Sequence, residues 1–272
     1  MPSVQSLAQP SLWDQWPYLA ALGGAVLITG IAKSGFGGGI GILAVPLVAS
    51  AFPAEADRAI GVMLPILIAA DVFAVAQHAR HADRQHLTWT LTGGLTGIAV
   101  GLAVLWWYAE SPRGMSLMLT LTIGAICLVF VALQAYRMVG GKLPRVPGGP
   151  WPGRASGAAG GLTSTLAHAA GPVMTIYYLE RQLPKRVLVG TMASYFFIVN
   201  WAKVPGYAWL GVLTWERFVE AMCFVWLVPV GALVGWWMLK RVPEKPFTAI
   251  MYLATAVAGG RMVVVGVTGL ME

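Results

Sequence analysis

Apolar residues fill stretches of about 20 positions along this chain, and each stretch is long enough to cross a hydrocarbon layer of roughly 30 Å as an α-helix. Polar and charged residues fall mostly between these stretches. The pattern therefore predicts membrane-spanning helices joined by loops. Six stretches are continuous and are expected to be full spans: Ile60 to Gln77, Leu87 to Tyr108, Met115 to Tyr136, Val187 to Ala208, Phe218 to Leu239 and Phe247 to Leu270.

Two further apolar stretches, Tyr18 to Phe52 and Gly157 to Leu179, carry dense glycine and polar residues near their centres. Glycine costs about 1 kcal/mol in a helix interior relative to alanine, so these clusters indicate broken helices. Lipid cannot satisfy the backbone groups at a break, which therefore have to line a cavity or contact a ligand. We expect each stretch to form a hairpin of half-helices.

The basic residues orient this arrangement, because short cytoplasmic loops are enriched in Lys and Arg. Four segments hold 12 of the 18 Lys and Arg residues: His78 to His86, Arg137 to Arg154, Glu180 to Arg186 and Lys240 to Lys245. They all lie on one side only if Gly157 to Leu179 enters and leaves the membrane on that same side. We therefore predict that the four segments are cytoplasmic and both termini periplasmic.

The same geometry predicts an all-α polytopic membrane protein built as an inverted repeat, with a broken-helix hairpin plus three transmembrane helices in each half. The first repeat is expected at residues 1–140, a cytoplasmic linker at 141–154 and the second repeat at 155–272. Weak likeness between the halves supports this division: Gly61 and Gly190 fall early in matching spans, and Asp71 and Asn200 follow ten positions later.

Composition excludes a soluble domain, since 57% of the 272 residues are hydrophobic, only 11% are charged and the mean hydropathy is +0.70. His78, His81 and His86 lie close together, but their spacing matches no strong metal-binding pattern, and the adjoining arginines oppose a cation. We expect a lipid bilayer around the chain, and no metal, cofactor or nucleic-acid partner. The pattern leaves the oligomeric state open.

The first break contains a cation beside a run of glycines: Lys33, Ser34, Gly35, Gly37, Gly38 and Gly39. A half-helix after such a break directs its free N–H groups and positive dipole end at the cavity, which favours an anion. The alternative is tight glycine packing between helices, with Lys33 extending to the membrane surface.

The second break has the same character, with Gly171 and Pro172 at its centre. Its hydrogen-bonding residues are Ser164, Thr165, His168 and Thr175. Proline suits the first turn of a new half-helix, where its missing N–H is no loss. His168 has three open roles: binding an anion when protonated, relaying a proton, or hydrogen bonding to a neighbouring helix.

Charged residues at membrane depth are costly and normally face a partner or a water-filled path. Lys203 and Arg261 are therefore candidate binding residues, although Lys203 could instead extend to the interface from its position near a span end. Asp71 is expected either to pair with one of the buried cations or to bind a coupling proton.

The segments GFGGGIGILAVPL and STLAHAAGP, the LPK element, the pair Gly190–Thr191 and the later Asn200, Lys203 and Pro205 follow one another in a familiar order. In these motifs the chain resembles the TauE/SafE sulfite exporters, which belong with the 4-toluene sulfonate uptake permeases. The resemblance implies transport of sulfite, sulfonates or related sulfur-containing anions across the bacterial inner membrane. It implies roles for the glycine breaks and for Ser164, Thr165, His168, Gly171, Pro172, Thr191, Asn200 and Lys203.

A secondary transporter working by alternating access is the expected function, and an enzyme is not expected. Two other functions stay open: an anion channel, and an intramembrane enzyme that uses His168 with Ser164. The enzyme is the weaker of these, because no acid that could orient the histidine is apparent in the sequence.

Overall fold

A computed structural model describes residues 12–33, 40–51, 55–141, 145–241 and 244–271, and the elements in these ranges are helical. Two short 3-10 turns, Ile40–Leu43 and Ala79–His81, accompany the α-helices. The α-helices are α1 Leu12–Lys33, α2 Ala44–Ala51, α3 Ala56–His78, α4 Arg84–Trp107, α5 Pro112–Met138, α6 Pro150–Ala167, α7 Ala170–Leu179, α8 Lys185–Trp209, α9 Trp215–Phe224, α10 Leu227–Arg241 and α11 Glu244–Met271.

Six helices in the described ranges are long and apolar enough to cross a membrane: α1, α3, α4, α5, α8 and α11. The bent pair α9 and α10 makes a seventh candidate if it counts as one span. The prediction of an all-α chain with several membrane spans is confirmed. Five of the six predicted continuous spans coincide with single helices.

The sixth, Phe218 to Leu239, was wrong as a continuous helix. Its two parts, α9 and α10, meet at an angle of 41°. Pro229 lies in the first turn of α10, where it supplies no N–H for a bond back to the preceding helix. The chain therefore bends just before the proline.

The two broken segments differ from simple hairpins of half-helices, because each has one long and one short limb. In the first, α1 has 22 residues and α2 has 8. In the second, α6 begins at Pro150, earlier than the predicted Gly157 and inside the predicted linker, and α7 has 10 residues. Proline at the start of α6 fits a first helical position, where no N–H is needed.

Glycines bring α4 and α6 into backbone contact. A Cβ added at Gly93 would overlap Arg154 O, and one at Gly97 would overlap Ala158 O. From the other side, a Cβ at Gly161 would overlap the Gly94 carbonyl. As residue numbers increase along α4, the numbers of the contacting residues on α6 increase as well, so the two helices run parallel to each other. Small residues at such a seam allow the close approach that membrane helices need for tight packing.

Three other helix pairs complete the bundle. Helices α1 and α10 are also parallel and meet at Gly30 and Gly231. Helices α3 and α8 run antiparallel, as do α5 and α11, which meet where Gly124 approaches the Gly259 carbonyl. Buried apolar residues of α3 pack with those of α1, α2 and α5 in one core cluster, and those of α7 and α8 form a second cluster.

Candidate functional site

The break between α6 and α7 has a left-handed residue at its centre. His168 ends α6 with φ 49° and ψ 32°, and the backbone N–H groups of His168 and Ala169 bond back to Ser164 O and Thr163 O. Helix α7 then begins with no side-chain cap. Its first N–H groups and the positive end of its dipole thus remain available to a ligand.

Lys203 of α8 reaches the last turn of α6 from a fully buried position. Its Nζ donates to Ser164 O at 3.1 Å, to Ser164 Oγ at 3.0 Å and to His168 Nδ1 at 2.9 Å. No carboxylate in the described ranges lies within salt-bridge distance of this ammonium group. The partners of Lys203 within hydrogen-bond distance are therefore all neutral acceptors.

The two ring nitrogens of His168 have defined roles. Nε2 lies 2.8 Å from Ile60 O, and a carbonyl oxygen can only accept, so Nε2 carries the hydrogen. Nδ1 then has a lone pair, which accepts from Lys203. A second proton on Nδ1 would point at an ammonium group. The geometry therefore holds His168 neutral, with Ile60 of α3 on one side and Lys203 of α8 on the other.

Lys33, at the end of α1, forms an ion pair with Asp71 of α3. The second carboxylate oxygen of Asp71 accepts a hydrogen bond from Asn200 Nδ2 at 2.6 Å. Asp71 is fully buried, whereas the Lys33 side chain keeps 24% of its surface exposed and lies 4.7 Å from the centre of the Phe196 ring. The matching positions Asp71 and Asn200 thus contact each other at the crossing of α3 and α8.

A cavity of about 380 Å³ lies beside these residues. Its polar lining comes from both broken segments and from α8, and the rest of its wall is mostly apolar. It extends to Leu179 and Lys185, at the end of the molecule that carries the predicted cytoplasmic segment Glu180 to Arg186. The predicted site residues that line it are Lys33, Ser164, His168, Gly171, Pro172 and Asn200.

The structure does not bring every predicted residue to the cavity. Thr165 lies behind it and bonds through its carbonyl to the Tyr207 hydroxyl. Thr191 accepts from the Asp83 backbone N–H at 2.9 Å and joins α8 to the loop before α4. Arg261 is exposed on α11 and is not among the lining residues. Ser34, Gly35, Gly37, Gly38 and Gly39 lie outside the described residues.

Two residues at the site were missed in the sequence: Phe196, which lies against Lys33, and Tyr207, which lies beside His168. Thr175, a hydrogen-bonding residue expected at the second break, lines the cavity with a buried hydroxyl that has no hydrogen-bond partner among the described residues. Phe196 and Tyr207 fall four residues from Asn200 and Lys203 respectively. Helical periodicity around those two polar residues could therefore have identified both aromatic residues.

The other end of the molecule is closed by ion pairs between α3 and α9. Arg58 Nη2 lies 3.1 Å from Glu220 Oε1, and Arg217 Nη2 lies 2.7 Å from Asp57 Oδ2. Arg217 also donates to Val212 O at 2.8 Å. These bonds hold the start of α3 against the loop before α9, away from the open end of the cavity.

Fold and site together define a multi-pass helical membrane protein with a buried, positively charged polar cluster beside a cavity. The family Sulfite exporter TauE/SafE matches residues 22–262. The chain belongs to this family, whose members are membrane transporters, as the sequence motifs predicted. No curated protein and no solved structure matches the chain.

Proposed function

We propose that this protein is a secondary transporter that moves a small sulfur-containing anion across the bacterial inner membrane. The anion is sulfite, a sulfonate such as 4-toluene sulfonate, or a related organosulfur anion. The observation that carries this proposal is the cavity beside Lys33, His168 and the start of α7. Its volume lies within the roughly 300–1,000 Å³ of typical small-molecule pockets, so it has room for an organic substituent.

The charges around the cavity favour an anion. Asp71 offsets Lys33, and His168 carries no charge. We propose that Lys203, which bonds to neutral acceptors, is protonated when the anion binds and gives the cluster one excess positive charge. The uncapped start of α7 adds a partial positive charge at Gly171. A monoanion bound here would accept hydrogen bonds from the α7 amides and from Thr175.

Alternating access through an inverted repeat is supported by the packing. Helices α1 and α6 open the two predicted repeats, and each packs in parallel against a helix of the other repeat, α10 or α4. The matching pairs α3 with α8 and α5 with α11 run antiparallel. We propose that the open end of the cavity faces the cytoplasm, and that the ion pairs of Arg58 and Arg217 close the periplasmic end.

Within this proposal Lys33, Ser164, His168, Asn200 and the α7 amides contact the anion. Lys203 sets the charge from behind His168. Ser34 and the glycines that follow it are proposed to contribute equivalent amide donors from the first break. Asp71 is proposed as the structural partner of Lys33, and proton binding at Asp71 is the alternative.

Two other functions make different predictions. A channel would conduct the anion without saturation or counterflow, whereas a carrier shows both. An enzyme would need Ser164 activated by His168, but both histidine ring nitrogens are engaged by Ile60 and Lys203, and Ser164 Oγ accepts from Lys203. The geometry thus favours the transporter.

Flux into liposomes containing the purified protein tests the proposal. We expect saturable uptake of labelled sulfite or 4-toluene sulfonate that is accelerated by the same anion on the opposite side. Lys33→Ala should strongly reduce it, and Lys240→Ala, which removes an exposed cation outside the site, should not. Unsaturable flux without counterflow would indicate a channel, and no flux of any sulfur-containing anion would refute the proposal.

Cysteine labelling tests the proposed orientation. Single cysteines at Lys142 and Lys245 should be protected from a membrane-impermeant reagent in intact cells and react after lysis. Efficient labelling of either residue in intact cells would reject a cytoplasmic location for the basic segments.

A further inference from the structure

A second cavity lies on the outer surface of the bundle, between α4 and α6. We name it the α4–α6 groove and define it by its lining residues, Thr92, Gly93, Thr96, Trp151, Arg154 and the alanines Ala155 and Ala158. Its volume is about 470 Å³. At the bottom of the groove, glycine and alanine residues bring the two helix backbones close together. The groove shares no lining residue with the cavity at His168.

One cation stands at the mouth of this groove. Arg154 is exposed, and its guanidinium group lies 5.2 Å from the centre of the Trp151 ring. Arg154 forms no ion pair with any acid in the described part of the chain. Its charge is therefore held in place by an aromatic ring but has no counter-charge within the described residues.

The mouth lies at the level of lipid headgroups. Trp89 and Trp106 are separated along α4 by about 26 Å at 1.5 Å per residue, close to the hydrocarbon thickness of roughly 30 Å. Tryptophan favours the two membrane interfaces, so these residues mark the approximate boundaries. Trp89 packs against Gly153, next to Arg154. The guanidinium group is thus placed where lipid phosphates lie.

Deeper in the membrane, the groove wall suits an acyl chain. Thr92 donates its hydroxyl hydrogen to Trp89 O at 2.9 Å, and Thr96 donates to Gly93 O at 2.6 Å. Both threonine donors are therefore satisfied within α4, and the alanines of α6 complete an apolar wall. A hydrocarbon chain can lie here without leaving a donor unpaired.

We propose that the α4–α6 groove binds one anionic phospholipid, with its phosphate on Arg154 and an acyl chain along the groove. Charge complementarity selects this occupant over a zwitterionic lipid, because Arg154 lacks an acidic neighbour that a lipid ammonium group would require. Basic pockets between transmembrane helices on the cytoplasmic side are suited to acidic headgroups. The proposal depends on the membrane location of the chain and not on its transported substrate.

Native mass spectrometry of the full-length protein in detergent tests this site. Phosphatidylglycerol and phosphatidylcholine with the same acyl chains are added separately, and bound lipid is counted. We expect at least one phosphatidylglycerol to bind about fivefold more tightly than phosphatidylcholine, and Arg154→Gln to remove this preference. Arg137→Gln, which removes an exposed arginine outside the groove, should keep it.

A second variant and a soluble probe separate the remaining outcomes. Ala155→Leu fills the groove without changing charge and should also reduce binding, while the melting temperature without lipid stays close to that of the unaltered protein. Soluble glycerol phosphate should not compete with the lipid. Equal binding of both lipids, retained preference in Arg154→Gln, or competition by glycerol phosphate at the lipid's own concentration would each overturn the proposal.

Discussion

Two lysines at membrane depth, one from each half of the chain, are held in opposite ways. Lys33 pairs with a carboxylate, Asp71, and remains partly exposed to the cavity. Lys203 is fully buried and bonds only to neutral acceptors on Ser164 and His168. A cation with a nearby carboxylate contributes little net charge, whereas a cation with neutral partners keeps its field. In the proposed function, Lys203 is therefore the main source of positive potential at the cavity, although it does not line it.

Within the proposed function, this difference gives the two lysines separate roles: Lys33 contacts the ligand, and Lys203 attracts it electrostatically. Lys33 is positioned to touch a ligand, because its side chain reaches the cavity surface beside Phe196. Lys203 is positioned to attract an anion through His168 and Ser164 without moving. Burying an ammonium group is costly, and three hydrogen bonds offset part of that cost. We infer that the retained charge has a functional use.

Replacing Lys203 should have the largest effect. Lys203→Met removes the uncompensated charge and leaves the acceptors of Ser164 and His168 without their donor, at a cost of about 1–3 kcal/mol in stability. We expect anion flux in liposomes to fall by about 30- to 150-fold, since about two to three kcal/mol of binding energy is lost. Lys240→Met is the matched control and should keep normal flux. Flux within threefold of normal in Lys203→Met would show that Lys203 is only structural.

Breaking the ion pair between Lys33 and Asp71 should have the second-largest effect. Asp71→Asn leaves Lys33 without its carboxylate and should lower the free energy of unfolding by about 3 kcal/mol. The double variant Lys33→Met/Asp71→Asn should regain most of that stability, because no unpaired charge remains. Thermal unfolding in detergent measures both. If Asp71→Asn instead unfolds normally but loses pH-driven accumulation while keeping exchange at equilibrium, Asp71 is a proton-coupling residue.

Replacing His168 should have an intermediate effect on anion flux, and this effect should not depend on pH. A glutamine amide can donate to Ile60 O and accept from Lys203, so His168→Gln should retain flux within about tenfold of normal. Because the geometry holds His168 neutral, the pH profile of flux between pH 5.5 and 8 should be unchanged. A flux increase on acidification that is present in the unaltered protein and absent from His168→Gln would show that His168 becomes charged.

The smallest effect is expected for the ring beneath Lys33. Phe196→Leu removes a cation–π contact worth about 0.5–1 kcal/mol at a partly exposed site. We expect a change of about two- to fivefold in the concentration of anion that gives half-maximal flux. Phe197→Leu, one residue further along α8, serves as the control. A larger effect would mean that Phe196 contacts the anion itself.

The spans were predictable because the bilayer imposes one rule on every helix, a minimum apolar length. Four predicted boundaries of α3 and α8 differ from the observed ones by a few residues, as expected for helix ends. The bend before Pro229 was missed since the apolar pattern continues through it without a polar residue. The early start of α6 at Pro150 was missed because its first residues read as a loop rich in glycine and proline.

The candidate site was predictable only as a set of residue types. Intramembrane charge identified Lys33, Asp71 and Lys203, but nothing in a linear sequence shows that Lys33 pairs with Asp71 while Lys203 bonds to His168. Those partners depend on the crossing of α3 with α8, which is a long-range contact. Arg261 has the same local pattern and yet is exposed on α11. Placement, and not residue type, distinguishes the buried cations.

Helices of one half of the chain pack against helices of the other half, and this packing has a consequence for biosynthesis. Gly30 of α1 packs on Gly231 of α10, about 200 residues later in the chain. At 5–20 residues per second, a ribosome needs about 10–40 s to deliver that partner. Throughout this interval the nascent α1 presents its glycine surface to lipid or to the insertion machinery. The surface of α1 that faces α10 is therefore covered late, whereas α2 and α3 can pack against its other side soon after they are made.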